Sequence, residues 1–187
     1  MKRKALLLGC GHNHDKRMSF GPSTVEGQDW GDGSPGESFK NYDLTLHDHD
    51  LNVDAHSRHN LNILPYPWAD EEFDEIHAYE VLEHCGSQGD AEFFFGQFNE
   101  LYRILKPGGY LCLTVPMWNS EEAWAAPDHK RVLPPSAFSF LTERYYENVG
   151  KPMYGDYRHL LKEHYWEPLG KSETETHLHV VLHKPSK

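Results

Sequence analysis

The sequence predicts an α/β fold, a mostly parallel sheet covered by helices on both faces. Three observations predict it. Ala5–Leu8 is a short apolar run closed by Gly9-Cys10-Gly11, the pattern of a buried parallel strand. Residues 90–106 carry Phe94, Phe95, Phe98, Leu101, Ile104 and Leu105 at three- and four-residue steps, the period of an amphipathic helix. Tyr110–Val115 is a dense apolar strand closed by Pro116. Strand and helix alternate, and alternation implies a parallel sheet whose ligands sit at the carboxyl ends of its strands.

The elements follow in order. Residues 12–43 hold repeated glycines and prolines with no helical period, so a long loop replaces the helix expected after the first strand, and it reads as a lid. Leu44–Leu46 is the second strand. Asn60–Leu64 is a shorter apolar piece stopped by Pro65 and Pro67, and the third strand is expected just before Asn60. Phe73–Tyr79 is a further strand, and Glu80–His84 begins a helical turn. Asp90 can cap the long helix, and Lys106-Pro107-Gly108-Gly109 supplies its breakers. A further helix starts near Pro135. Tyr165-Trp166 and His177–Leu182 read as closing strands, with a hairpin across Gly170. No linker or repeat divides the 187 residues. One domain is expected over 1–187, with a binding core at 4–116, an acceptor-side segment at 117–162 and closing strands at 163–187.

Composition narrows the function. The net charge of −11 argues against wrapping a nucleic-acid backbone, which needs clustered Lys and Arg. Three cysteines, Cys10, Cys85 and Cys112, without a CxxC, fit a reducing cytoplasm rather than a disulfide framework. The N-terminal apolar run is too short for a signal peptide, and nothing approaches a membrane span. Fourteen histidines include the pairs His12/His14, His47/His49 and His177/His179. Such pairs chelate metal when they share a strand face, but no accompanying ligand spacing is present and no metal ligands are assigned.

The residues after each strand are the candidate site. Gly9 and Gly11 let backbone N–H groups approach a ligand. A dinucleotide fingerprint would need glycine at 14, where His14 stands. Asp48, past the second strand, can accept both hydroxyls of a ribose. Asn60 can pair with an adenine edge while Leu61 packs on the ring.

The blocks Phe73-Asp74-Glu75-Ile76, Val81-Leu82-Glu83-His84 and Leu105-Lys106-Pro107-Gly108-Gly109 resemble those of class I S-adenosylmethionine-dependent methyltransferases over residues 4–116. Glu80–His84, Gln88-Gly89-Asp90 and Pro127–Arg131 also resemble small phage and prophage methyltransferase-like proteins. The resemblance implies a Rossmann-like, seven-stranded sheet with an antiparallel C-terminal strand. It implies S-adenosyl-L-methionine as cofactor, with Leu8, Gly9, Cys10 and Gly11 under its methionine part. Asp48 would then hold the ribose, Asn60 and Leu61 would flank the adenine, and Tyr79 and Glu80 would line the pocket near the sulfonium. The chain departs from the family at Leu7, Asn13 and Asn60, where an acid, a glycine and an acid are usual. A catalytically degenerate cofactor-binding protein and a histidine-rich metal-binding protein are the alternatives.

No Asp/Asn-Pro-Pro-aromatic tetrad and no Pro-Cys pair is present, which argues against base methylation. A small-molecule or saccharide acceptor is expected. His129 is the expected general base, oriented by Asp128 or Glu83, with Trp118 and Arg131 binding the acceptor. His84 is read as structural.

Overall fold

The structure is a computed structural model that describes residues 2–15 and 39–186. Six strands form one sheet among these residues. They are β1 (Arg3–Leu8), β2 (Tyr42–His47), β3 (Phe73–Tyr79), β4 (Leu105–Pro116), β5 (Glu167–Glu173) and β6 (His177–His183), in the order β2-β1-β3-β4-β6-β5. The first four strands of that order run parallel, and β6 and β5 pair antiparallel. The chain steps from β1 outward to β2, then crosses back past β1 to β3. That reversal opens a crevice at the carboxyl ends of the strands.

Alternation along each strand divides the core in two. Leu6, Leu8, Ile76, Ala78, Leu111 and Leu113 point to one face, where they meet Phe95, Phe98 and Leu101 of α1 (Ala91–Ile104). Ala5, Leu7, Tyr42, Tyr79, Cys112 and Val181 point to the other, where Phe39 and Val53 cover them. That second face carries a polar ladder: the Tyr42 hydroxyl donates to Glu75 at 2.7 Å, Glu75 stands 3.0 Å from His77, and His77 stands 2.6 Å from the Tyr79 hydroxyl.

Asp90 caps α1 by accepting the Phe93 N–H at 2.9 Å. At the other end the Lys184 ammonium donates to the Tyr102 and Leu105 carbonyls at 2.9 and 2.7 Å, a favourable charge at a helix C-terminus. The glycine pair does not separate helix from strand, as expected from sequence; β4 begins directly after Ile104 and contains it. A Cβ on Gly109 would come within 2.9 Å of the Asp74 carbonyl oxygen, so the pair serves close strand pairing beside a register shift.

Other expectations also differ. No strand lies between β2 and Asn60, and residues 60–64 form turns in which Asn60 Oδ1 accepts the Asn62 N–H at 3.0 Å. The seventh strand has no counterpart among the described residues. Three short helices follow β4: α2 (Glu122–Ala125), α3 (Glu143–Tyr146) and α4 (Arg158–Leu161). The helix expected from Pro135 is a 3-10 segment, Pro135–Leu141. The closing hairpin turns at residues 174–176, and Gly170 lies within β5 at a register shift. The buried hydrophobic residues of α1, α3 and α4 all belong to the first face, so a layer of α-helices on the second is not found among the described residues. The lid expected over 12–43 lies largely outside them.

Candidate active site

The crevice is a cleft of about 540 Å³, within the 300–1,000 Å³ usual for small ligands. Its floor comes from the first residue past each of three strands: Gly9 after β1, Asp48 after β2 and Glu80 after β3. Gly9 adopts a left-handed backbone (φ 56°), and a Cβ there would lie 1.9 Å from Val81 Cγ2. Only glycine lets the β1 turn and Val81 share this wall.

Asp48 is fixed from two sides. Its Oδ2 accepts the Gly11 N–H at 2.9 Å and its Oδ1 the Asp50 N–H at 3.0 Å. Burial alone would raise its pKa, but these two donors, helped by His49 and His47, hold it below the ordinary aspartate value. Each carboxylate oxygen keeps a lone pair for a ligand hydroxyl. Asn60, Leu61 and Asn62 also line the cleft. So does His47, with Nε2 2.7 Å from the His59 carbonyl oxygen, while its buried Nδ1 has no partner.

Of the residues expected to bind the cofactor, Gly9, Asp48, Asn60, Leu61 and Glu80 line the cleft. Leu8 and Cys10 are buried beside it, with the Cys10 N–H tied to the His47 carbonyl at 3.0 Å. Gly11 meets the cleft through Asp48. Tyr79 does not line it; strand alternation turns its ring to the second face, into the polar ladder.

The other end of the cleft is built by the turn after β3 and the segment returning after β4. Lys130 and Arg131 N–H groups both donate to the Glu83 carbonyl, at 2.9 and 3.2 Å. This pairing sets Asp128 and Lys130 at the cleft rim beside His84 and Cys85. Glu80 stands here in a left-handed backbone (φ 57°), with Oε2 3.4 Å from His177 Nε2, and such strain in a non-glycine residue clusters at functional sites. Glu83 is 2% exposed. Burial, then the nearby Glu80 charge, pushes its pKa up to about 8. Neither of its carboxylate oxygens accepts a hydrogen bond.

The expected acceptor-side residues separate. Glu83, His84 and His129 come together, each offering one side-chain atom within 4.8 Å of the others. Asp128 stands 3.3 Å from His84 Nδ1. Arg131 is buried; its guanidinium donates to the Leu82 carbonyl at 2.9 Å and to Gln97 Oε1, and it faces a second hollow of about 340 Å³. Trp118 is half exposed and its carbonyl accepts the Trp124 indole N–H at 2.9 Å; it does not line the cleft. His47, His49, His59, Val81, His84 and Lys130 line the cleft without having been assigned. His84 was legible, since it closes a block that begins at the carboxyl end of β3.

Residues 45–113 match the methyltransferase domain family. No curated protein matches the chain in sequence. The fold is similar to that of a SAM-dependent methyltransferase from Archaeoglobus fulgidus, with a TM-score of 0.56 and 13% identity over 98% of this chain and 86% of that one. It is similar to the [4+2]-cyclase SpnF, with a TM-score of 0.56 and 12% identity over 100% of this chain and 76% of that one. It is also similar to the N-methyltransferase NodS from Bradyrhizobium japonicum, solved with S-adenosyl-L-homocysteine, at 0.55 and 14% over 99% and 79%. The sheet is thus methyltransferase-like, and the matched segment supplies its β2-to-β4 portion. No helix among the described residues is long and apolar enough to cross a membrane.

Proposed function

We propose that the chain is an S-adenosylmethionine-dependent methyltransferase acting on a small-molecule or saccharide acceptor. One observation carries the reading: the methyltransferase-like sheet places Asp48, braced by the Gly11 N–H, in a ligand-sized cleft. The residues fit the cofactor. Asp48 retains lone pairs for the ribose hydroxyls, Asn60 and Leu61 offer an amide and an apolar contact for adenine, and Gly9 leaves backbone open to the methionine part. When bound, S-adenosylmethionine supplies a methyl group on a positive sulfonium. Around it the chain has to align an acceptor and remove a proton.

The end of the cleft near Glu80 is taken for the acceptor, because the segment after β4 returns there through the pairing of Lys130 and Arg131 with Glu83. Glu83, His84 and His129 are the groups placed to manage the acceptor's proton, with Asp128 orienting His84. Lys130 at the rim replaces the buried Arg131 as the cation for an acidic acceptor. Fold alone does not choose the reaction, since SpnF shares it, and the methyl-transfer reading rests on the matched segment and the ribose site.

The experiment is calorimetric titration with S-adenosylmethionine and S-adenosylhomocysteine. One-to-one binding at micromolar scale, about 8 kcal/mol, is expected. Absence of binding by either compound overturns the reading.

A further inference from the structure

We propose that Glu83, His84 and His129 form a binding site for one divalent transition-metal cation at the acceptor end of the cleft. Three independent features of the geometry support it.

The first is the donor set. Two imidazoles and a carboxylate offer atoms within 4.8 Å of one another, and the two rings meet edge to face at 4.8 Å between centroids. Around a tetrahedral ion with bonds of about 2.1 Å, ligand atoms lie about 3.4 Å apart. His84 Nε2 already stands 3.7 Å from Glu83 Oε1, so a modest closure of the rings completes three positions. Of the three, His84 lines the cleft.

The second is Glu83. Its carboxyl group is buried and both oxygens lack a hydrogen-bond partner, although buried polar groups are ordinarily hydrogen-bonded or hold an ion. Arg131, the nearby buried cation, gives its guanidinium hydrogens to Leu82 and Gln97 instead. Glu80 adds a second carboxylate with a buried, partnerless Oε1. A positive ion would relieve both.

The third is the anchoring of the rings. His84 Nδ1 lies 3.3 Å from Asp128 Oδ2 and 3.3 Å from the Asp128 carbonyl oxygen, and His129 Nδ1 lies 3.3 Å from the Ala123 carbonyl oxygen. Metal-binding histidines usually hold one ring nitrogen on a carboxylate or carbonyl and present the other to the ion. Mixed nitrogen and oxygen donors suit Mn²⁺, Co²⁺ or Zn²⁺, whereas Mg²⁺ and Ca²⁺ take oxygen-rich shells. The site is distinct from the His-x-His pairs of the sequence. Resting on the methyltransferase reading, its role is to hold an oxygen of the acceptor and lower that oxygen's pKa so that its proton passes to solvent; the three residues then manage that proton as ligands of the ion.

The test uses the tag-free full chain stripped with chelator and titrated with CoCl2, read by visible absorption and calorimetry. One equivalent of cobalt is expected to bind, and to bind at least ~10-fold more weakly to Glu83→Gln and to His129→Asn. The loop double variant His12→Gln/His14→Gln is expected to bind as wild type does. If Glu83→Gln does not fold, His129→Asn, on the segment after β4, carries the comparison. No stoichiometric cobalt on wild type, or equal affinity in His129→Asn, overturns the proposal. S-adenosylhomocysteine titrated without cobalt separates the two readings. Its binding with no cobalt site removes only the cation, and cobalt binding without it removes only the methyltransferase assignment.

Discussion

The Gly11 N–H donates to Asp48 Oδ2 at 2.9 Å, joining the turn after β1 to the turn after β2. One carboxylate therefore both braces two neighbouring turns and faces the cleft. Asp48→Ala is expected to weaken S-adenosylmethionine at least ~10-fold, since charge-assisted hydrogen bonds contribute roughly 1.5–3 kcal/mol each. Asp48→Asn keeps an acceptor for one backbone N–H and is expected to lose less. Calorimetry on both variants checks the order, and equal affinity in Asp48→Ala would sink the ribose assignment.

Gly9→Ala is expected to destabilise the fold by roughly 1–3 kcal/mol, the usual scale for an overpacked core combined with backbone strain. The cause is the 1.9 Å approach of the added Cβ to Val81 Cγ2. Gly9→Ala/Val81→Ala removes the clash but leaves the positive φ. Thermal unfolding of the single and double variants measures the coupling between the sites, and additive effects would contradict a direct clash.

The His47 imidazole is buried, and burial holds its pKa below the ordinary 6.5 despite the His59 carbonyl and the Asp48 charge. The unfolded chain takes up a proton near pH 6.5 that the native ring refuses until a lower pH. Its contribution is therefore fully present above 6.5 and is lost as pH falls through that value. Relative to His47→Gln, wild type is expected to lose stability between pH 7 and pH 5. Parallel melting curves across that range would show that His47 is not the group responsible.

Glu83→Met is expected to stabilise the metal-free protein by ~1–3 kcal/mol, because an apolar side chain of similar volume replaces a buried carboxyl whose polar atoms have no hydrogen-bond partner. Denaturant unfolding of the chelator-treated proteins checks it. A destabilised Glu83→Met would mean that the carboxylate has a partner in the folded chain.

Much of the sheet was legible because its strands are short apolar runs bounded by glycine or proline, and α1 because five apolar positions, Phe94, Phe95, Phe98, Leu101 and Ile104, keep one period. Asp48 and Glu80 reach the cleft by a single rule, that ligands meet a parallel sheet at its carboxyl ends, whereas Asn60 reaches it from a turn that ends no strand. Tyr79 escaped that rule, because an end residue still obeys alternation and can face away from the ligand. Arg131 escaped for another reason. A charged run such as Asp128–Arg131 gives no sign of which member turns inward, and burial of Arg131 depends on Gln97, 34 positions earlier. Turn geometry hid the 60–64 segment, where asparagine side chains replace strand pairing. The meeting of His84 with His129 depends on a backbone pairing between Glu83 and residues 130–131 that no local pattern announces.

The position of β6 between β4 and β5 sets an order on synthesis at the ribosome. β5 is translated before β6 yet, among the described strands, pairs only with it, so the earlier strand has no place among them when it is made. Until β6 arrives, one side of β4 lies open along its backbone, and an open strand edge is a template for pairing with foreign chains. The nascent protein is therefore most exposed to aggregation between translation of Pro116 and completion of the 177–183 strand. Occupation of that edge by a chaperone, or by the early docking of the 135–166 region, would shorten the interval.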